Sequence, residues 1–407
     1  MQRSDIQAVG DLAGEASSLV TTLVRGMHAG IASRVFDSIG PAAASTRVIH
    51  DGLTRAIYAG VDRGIRGATQ AVGVMAAELW GNDGDEALES RATSAAVIAA
   101  VNGLYGDELT ERDHPLAGAM AIRRRGRVVP PTVDSLASAF PSATSRVVVF
   151  VHGWCLTEGS WSRQAHKDSE IDDSRSYGQR LSDDMGFSPV QLRYNTGLHV
   201  SVNGRTLAEL LERLRTHWPV PITELVLVGH SMGGLVARSA CHYGAEQQHR
   251  WTDAVSHVVC LGSPHLGADL EKGVSVASWA LALLPETRAI ATFLNIRSDG
   301  VKDLRFGACL DEDWHDADPD EFLRDRCHEA PFLPHATYHF VAATVTPSLL
   351  GMVAGDNLVR SGSAAGRGRS RRIPFEAGHG LTLTGLNHLD LLNHPLVYAK
   401  LREWLTR

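Results

Sequence analysis

A serine stands between two glycines in the stretch Gly229-His230-Ser231-Met232-Gly233, directly after an apolar run and directly before a helical pattern. Flanking glycines permit a tight strand-to-helix turn that lifts a serine hydroxyl clear of a sheet. The start of the following helix offers N–H groups and a dipole end that favour developing negative charge. The spacing and its context therefore predict that Ser231 is a nucleophile.

A second motif, His152-Gly153-Trp154, ends the apolar run at residues 145–154. The tetrahedral intermediate of acyl transfer needs two hydrogen-bond donors aimed at its oxyanion. A nucleophile on such a turn takes one donor from the residue after it and the other from an earlier strand-to-loop junction. The predicted donors are the backbone N–H groups of Met232 and Trp154.

A serine hydroxyl is a weak nucleophile at its ordinary pKa, so it needs a general base and a carboxylate that orients the base. With this kind of turn the partners follow the serine in the order carboxylate, then histidine. Asp356 follows the apolar run at residues 337–345, and His388 precedes the last helical pattern. We predict that His388 is the base and that Asp356 orients it.

Four other residues could fill these two roles. Asp299 and Asp303 precede the run at residues 337–345, which is more typical of solvated or structural carboxylates. His379 comes early in its loop, and His394 lies in the final helical stretch beside a proline. Their positions favour Asp356 and His388 over them.

The motifs require a scaffold that brings several loop ends together. From about residue 115 apolar runs alternate with helical patterns, after a hairpin pattern at residues 119–129. Strands are predicted at residues 145–154, 189–194, 224–230, 256–262, 337–345 and, weakly, 372–377, and helices at residues 176–185, 206–216, 232–247 and 388–405. This alternation predicts an α/β fold with a mostly parallel sheet, whose ligands bind beyond the carboxyl ends of the strands.

Residues 1–110 have a different pattern, with apolar side chains at helical spacing on either side of Gly40 and Pro41. This predicts a helical hairpin, followed by an alanine-rich helix over residues 90–104. The stretch contains no plausible nucleophile, paired base or metal-ligand cluster. We interpret it as an all-helical N-terminal domain that packs on the rest of the chain or forms a homo-oligomer, with the catalytic residues complete in a domain of residues 111–407.

The segment at residues 274–296 is amphipathic and unusually apolar. It fits either ordinary core helices or a cap, over about residues 265–330, that covers the nucleophile. In the second case Trp279, Leu283 and Leu284 would form an apolar wall for the substrate.

Composition excludes several functional classes. The 407 residues are 44% apolar and 21% charged, as in ordinary globular proteins, and the net charge of −7 argues against a nucleic-acid binder. Short basic runs at residues 123–127 and 367–372 are typical of a solvated hairpin tip and loop. Without a secretory signal or a long apolar span, we expect a cytoplasmic protein with no transmembrane segment.

The five cysteines lack CxxC or Cys/His spacing, so they predict neither a zinc site nor a complete disulfide framework. Cys309 and Cys327 could pair only if the protein were exported. The acidic residues 311–321 lack the central glycine and regular oxygen ligands of a calcium loop. We expect no metal and no organic cofactor.

Several of these stretches resemble one known family, the bacterial lipase-like and inositol-deacylase-like (PGAP-type) branch of the α/β-hydrolases. The matching stretches are residues 150–154, 192–200, 228–238, 261–271, 296–307, 355–359 and 387–392. They occur in consistent order over about residues 115–407. The resemblance implies an α/β-hydrolase fold with Ser231, Asp356 and His388 as its triad, and says less about the substrate.

We therefore expect a hydrolase of carboxylic esters with an apolar acyl or alcohol part, acting through an acyl-enzyme. Three alternatives stay open. The protein could be a lipase or phospholipid deacylase acting on aggregated lipid, an amidase or thioesterase with the same triad, or a non-catalytic binding protein that kept the fold.

Overall fold

The computed structural model describes residues 92–162, 175–268, 298–315, 327–345, 356, 358–368, 371–376 and 378–406, with single positions between 25 and 63. The chain divides into two compact units. One comprises residues 1–91, 112–116 and 272–297, and the other comprises residues 92–111, 117–271 and 298–407.

In the first unit, the described positions between residues 25 and 63 are helical. The Tyr58 hydroxyl lies 3.4 Å from His28 Nδ1, and Arg47 donates a hydrogen bond of 3.1 Å to the Ser33 hydroxyl. These contacts join residues before Pro41 to residues after it in antiparallel order, as a helical hairpin requires.

An eight-stranded sheet forms the second unit's centre. The strands are β1 (Ala121–Arg124), β2 (Arg127–Val129), β3 (Arg146–Val151), β4 (Ser188–Arg193), β5 (Glu224–His230), β6 (Val255–Leu261), β7 (Thr337–Thr344) and β8 (Gly380–Thr384). Their order is β2-β1-β4-β3-β5-β6-β7-β8. Strand β1 pairs antiparallel with β2 and β4, and the other pairings are parallel.

Helices cover both faces of this sheet. They are α1 (Ala92–Glu111), α2 (Val133–Ala139), α3 (Tyr177–Met185), α4 (Val200–His217), α5 (Met232–Glu246), α6 (Asp299–Asp303), α7 (Ser361–Ala364) and α8 (Pro395–Leu405). Val147 and Val149 of β3 belong to the core cluster that contains α4 and α5, whereas Val148 and Phe150 belong to the cluster with α3 and α8. A continuous apolar run is what a strand buried on both faces needs. This architecture is the predicted α/β-hydrolase fold.

One predicted strand is wrong. Residues 371–376 make only an isolated bridge between Arg372 and Arg367, because Pro374 has no N–H to donate to a ladder. The last strand is instead β8, which pairs in parallel with β7. Its Leu381 and Leu383 pack on the core while the threonines between and after them are exposed.

Helix boundaries also differ from the predicted ones. Helix α4 begins at Val200 rather than residue 206, although Asn203 and Gly204 are poor helix formers. Any side chain at Gly204 would collide with Ser239, so this glycine permits the close packing of α4 on α5. The chain at His388–Leu392 forms a 3-10 turn, and α8 starts after it at Pro395.

Two further observations concern a predicted cysteine pair and the length of the helices. Cys309 keeps its thiol, whose pKa burial raises to about 12, and it forms no disulfide with Cys327. Within the described parts of the chain, no helix is both long and apolar enough to cross a membrane.

Candidate active site

Ser231 occupies a strained turn between β5 and α5. Its φ of 55° and ψ of −124° fall where a residue with a side chain rarely lies, and such a conformation costs on the order of 1–3 kcal/mol. The Ser231 N–H donates 2.8 Å to the Leu261 carbonyl of the neighbouring strand. A side chain at Gly229 would collide with the backbone of Gly233, and one at Gly233 would collide with the Val151 carbonyl. The two flanking glycines are therefore steric requirements of this turn.

The loop after β3 packs directly on this turn. A Cβ added to Gly153 would lie only 3.0 Å from the Ser231 Cβ and 3.0 Å from His230 Nδ1. The Gly153 carbonyl accepts hydrogen bonds from His152 Nδ1, at 2.9 Å, and from the Leu156 N–H, at 3.2 Å. Since a trans peptide points its carbonyl and its N–H in opposite directions, these bonds fix the direction of the Trp154 N–H.

The two predicted oxyanion donors are available for a ligand. Met232 is the first residue of α5, and Trp154 follows the Gly153 peptide. Among the hydrogen bonds of the described residues, neither backbone N–H is used as a donor. Both therefore have the capacity to bind a developing negative charge near Ser231.

Asp356 and His388 form a buried pair. The His388 Nδ1 lies 2.7 Å from Asp356 Oδ2, and the side chains are 6% and 1% exposed. The other carboxylate oxygen, Oδ1, accepts hydrogen bonds from the N–H groups of Leu358 and Val359, at 3.1 and 2.8 Å. The carboxylate is thus held rigidly, and it accepts the Nδ1 proton, which leaves Nε2 of His388 as the nitrogen able to take a proton.

This pair lies beside the serine turn. The ring of His230, the residue before Ser231, is centred 4.7 Å from the His388 ring, and its Nε2 lies 3.0 Å from the His388 carbonyl. A Cβ on Gly262, which follows the carbonyl that binds the Ser231 N–H, would lie 3.1 Å from His388 Cε1. The described hydrogen bonds do not include one between the Ser231 hydroxyl and His388, and such bonds often shorten only when substrate binds.

The competing residues have other partners. The Asp303 carboxylate contacts His199 Nδ1 at 3.0 Å, and Asp299 lies 3.3 Å from the opposite nitrogen of that ring. His394 caps α8 by accepting from the Leu396 N–H, and His379 lies 3.7 Å from the exposed Glu376. These contacts explain each of the four competing residues as part of the local structure.

Three buried histidines, two beside the serine turn and one on the loop after β6, are neutral rings. Burial lowers the pKa of His152 to about 4, and it lowers the pKa values of His230 and His265 well below the ordinary range. The His152 ring stacks on Tyr194 at 4.5 Å, and the Tyr194 hydroxyl donates 2.7 Å to the His152 carbonyl. A neutral His152 that donates from Nδ1 is what holds the Gly153 carbonyl.

This burial predicts acid sensitivity. The unfolded chain binds a proton on each of these histidines below about pH 6.5, whereas folded His152 resists protonation down to about pH 4. The free energy of unfolding should therefore decrease as the pH falls from 7 to 4, by roughly 3 kcal/mol for His152 alone. Burial of His199 favours its neutral form, but its hydrogen bond to Asp303 raises its pKa and opposes this trend in part. Urea unfolding at pH 7.5, 6 and 5 measures the effect, and equal midpoints would contradict it.

The predicted apolar wall and most of the predicted cap cannot be placed. Trp279, Leu283 and Leu284, with the segment at residues 274–296, lie outside the described residues, as does much of the predicted cap at residues 265–330.

Within the described chain, no group of three or more His, Cys, Asp or Glu side chains could hold a metal ion. In the acidic segment, Asp313 Oδ2 accepts hydrogen bonds from the Cys309 and Leu310 N–H groups, so backbone donors engage this oxygen.

Sequence reasoning missed some residues that support the site. Tyr194 and the carbonyl of Gly103 contact the His152–Trp154 loop from distant parts of the chain. Tyr194 belongs to a stretch that the family resemblance marked, which is a weak signal for it. Gly103 has no comparable signal, because its importance depends on a contact 51 residues away along the chain.

One comparison with known proteins found a domain family similar to part of this chain. A family model described as the PGAP1-like alpha/beta domain matches residues 142–283. The match contains Ser231 and the His152–Trp154 loop, but not Asp356 or His388. No curated protein sequence matches the chain.

Solved structures with detectable similarity include two bacterial proteins and one fungal protein. The mature Bacillus licheniformis lipase BlEst2 is 19% identical over 64% of this chain and 91% of that one, with a TM-score of 0.42. EstA from Clostridium botulinum is 13% identical over 65% and 87%, with a TM-score of 0.35. Aspergillus fumigatus lipase B is 11% identical over 69% and 59%, with a TM-score of 0.39.

The family match and the strand order point to the same kind of domain at the centre of the chain. Residues 142–283 are similar to the PGAP1-like alpha/beta domain family, and their described strands belong to the mostly parallel sheet of the α/β-hydrolase fold.

Proposed function

We propose that the protein is a serine hydrolase of carboxylic esters that works through an acyl-enzyme. The observation that supports this most strongly is the buried Asp356–His388 pair, 2.7 Å apart, beside the strained turn of Ser231. A buried ionisable pair and a strained serine both cost stability. Acyl transfer would explain why both costly features occur together with two available N–H donors.

In the proposed first step, His388 Nε2 takes the hydroxyl proton as Ser231 Oγ attacks the ester carbonyl carbon. The oxygen of the tetrahedral intermediate then accepts hydrogen bonds from the N–H groups of Trp154 and Met232. Asp356 stays ionised and stabilises the imidazolium that forms. Collapse of the intermediate breaks the bond to the alcohol, which leaves with the proton from His388.

The second step regenerates the enzyme. A water molecule gives a proton to His388 Nε2 and attacks the acyl carbon bound to Ser231. The same two N–H donors stabilise the oxyanion of this second tetrahedral intermediate. Release of the carboxylic acid returns the proton to Ser231. The chain's own residues provide every proton transfer in this scheme.

Trapping of the acyl-enzyme tests the proposal. With a p-nitrophenyl ester as substrate, added methanol should divert part of the acyl product from the free acid to the methyl ester. The rate of p-nitrophenol release reports acylation, and the ratio of the two products reports the second step. Absence of ester hydrolysis by the folded protein, or free acid as the sole product at high methanol, would contradict the acyl-enzyme.

A lipase acting on aggregated lipid is the second candidate, because residues 274–296 are unusually apolar. If Leu283 and Leu284 form an apolar wall, each acyl methylene buried against it is worth up to about 0.8 kcal/mol, or about fourfold in kcat/KM. We expect activity to rise from acetate to medium-chain esters, and the double change Leu283→Ser and Leu284→Ser to flatten this profile.

The matched control for this prediction is Leu396→Ser, which removes an exposed leucine on α8. It should leave the chain-length profile unchanged. An unaltered profile in the double variant would remove these leucines from the substrate site, and a rate that increases sharply above the solubility limit of the ester would favour the lipase.

A further inference from the structure

Helix α1 is broken beside the loop that carries Trp154. Tyr105 has φ −138° and ψ 16°, which interrupts the helix two residues after Gly103. The Asp107 carboxylate, two residues after this kink, accepts a hydrogen bond of 2.9 Å from the Asp299 N–H. The Gly103 carbonyl, two residues before the kink, accepts hydrogen bonds from two side chains outside the helix.

The donors to this carbonyl are two side chains from distant parts of the chain. The Trp154 indole Nε1 donates to the Gly103 carbonyl at 2.8 Å, and the Ser298 hydroxyl donates to the same oxygen at 2.6 Å. The next loop residue, Cys155, has a left-handed φ of 58° and donates from its Sγ to the Ala100 carbonyl at 3.7 Å. Two consecutive loop residues are thus attached to one turn of α1.

The packing between α1 and this loop leaves no spare room. A Cβ on Gly103 would lie 3.0 Å from the Trp154 Nε1 and would collide with the Cys155 sulfur. A Cβ on Gly197 would collide with the Asn102 carbonyl. The Thr196 hydroxyl accepts a hydrogen bond from the Cys155 N–H at 3.2 Å, so the loop after β4 completes the support.

We infer that helix α1 is a positioning element of the active site, and that Trp154 acts through its side chain as well as its backbone. The indole anchors Trp154 to Gly103, while the N–H of the same residue is one of the two proposed oxyanion donors. A rigid anchor matters because donors in such a site must be held in place before charge develops. The inference rests on the proposed function, since it assigns α1 to the oxyanion step of that reaction.

Trp154→Phe tests the anchor, because it removes the indole N–H and keeps an aromatic ring and the backbone N–H. We expect kcat for a p-nitrophenyl ester to fall roughly tenfold or more, with KM within about twofold, since misplacement of a donor weakens transition-state binding only. The rate of Ser231 labelling by a fluorophosphonate should fall by a similar factor. Gly103→Ala, which forces Cys155 and Trp154 to move, should likewise lower kcat while leaving KM nearly unchanged.

The matched control is Trp218→Phe. Its indole Nε1 also donates to a backbone carbonyl, that of Thr144 at 2.9 Å, but at the opposite end of β3. It should lower stability without lowering kcat.

Two results would overturn the inference while leaving the proposed function intact. One is equal kcat values in the Trp154 and Trp218 variants, and the other is a fall in kcat of both variants in proportion to their loss of stability. Absence of ester hydrolysis in the unaltered protein would instead overturn the proposed function, and the inference with it. If Trp154→Phe does not fold, Cys155→Ala, which removes the second attachment to α1, should show the loss of kcat.

Discussion

Replacement of Ser231 with alanine will abolish ester hydrolysis, with a fall in kcat of roughly 10⁵- to 10⁶-fold. The variant keeps the Cβ and so keeps the turn at φ 55°. It removes the oxygen that forms the acyl bond, and neither the His388 base nor the N–H donors can replace it. The residual rate will reflect only water attack on a bound ester.

Covalent labelling identifies the nucleophile directly. A fluorophosphonate should modify the unaltered protein at Ser231 alone and should leave Ser231→Ala unlabelled, while circular dichroism shows an unchanged fold. Ser239→Ala is the matched control, because this buried serine on the same helix donates to the Cys309 carbonyl at 2.7 Å. It should cost stability and retain labelling. Modification at another serine, or activity in Ser231→Ala, would remove Ser231 from the mechanism.

Replacement of Asp356 with asparagine should lower kcat about 10⁴-fold without changing the shape of the site. The Asp356 carboxylate accepts the Nδ1 proton of His388 across 2.7 Å, which leaves Nε2 able to take a proton. An asparagine that turns its NH₂ group towards His388 favours the opposite tautomer. The Nε2 nitrogen then carries the proton and cannot act as a base towards Ser231.

The chain offers a control with the same chemistry. Asp303 is also a buried carboxylate, and it contacts His199 Nδ1 at 3.0 Å. Asp303→Asn should lower stability but change kcat only severalfold. If the two asparagine variants lose activity equally, the Asp356–His388 pair has no special role, and the assignment of the base is wrong.

Most strands and the strained turn at Ser231 were predictable because their signals are local. Apolar runs such as β3 and β5 are buried on both faces, and the glycines around Ser231 are required by atoms within a few residues of it. The pairing of Asp356 with His388 was also proposed from chain order, and the structure brings these two side chains together. In each case a short stretch of sequence carries the physical requirement.

The features that sequence reasoning missed depend on contacts between distant residues. Residues 372–377 contain isoleucine and phenylalanine and look like a strand, yet Pro374 prevents pairing, and the less apolar β8 pairs with β7 instead. We predicted that the catalytic residues are complete without residues 1–110. That prediction did not include the contact between α1 and the Trp154 loop. The kink at Tyr105 lies next to Gly106, where any side chain would collide with Asn195, a residue 89 positions away along the chain.

Strand β8 lies at one end of the sheet and is only half-buried, whereas β3 and β5 are interior strands. The last strand of a sheet is paired on one side, and such regions open locally at a smaller free energy than the core does. The loop that follows β8 leads into the turn that carries His388, while the segments after β3 and β5 carry Ser231 and the proposed oxyanion donors. Fraying of this edge would therefore withdraw the base while the nucleophile and its oxyanion donors stay assembled. On heating, catalytic competence would be lost before global unfolding, and the working temperature limit of the protein would be set by its sheet edge rather than by its core.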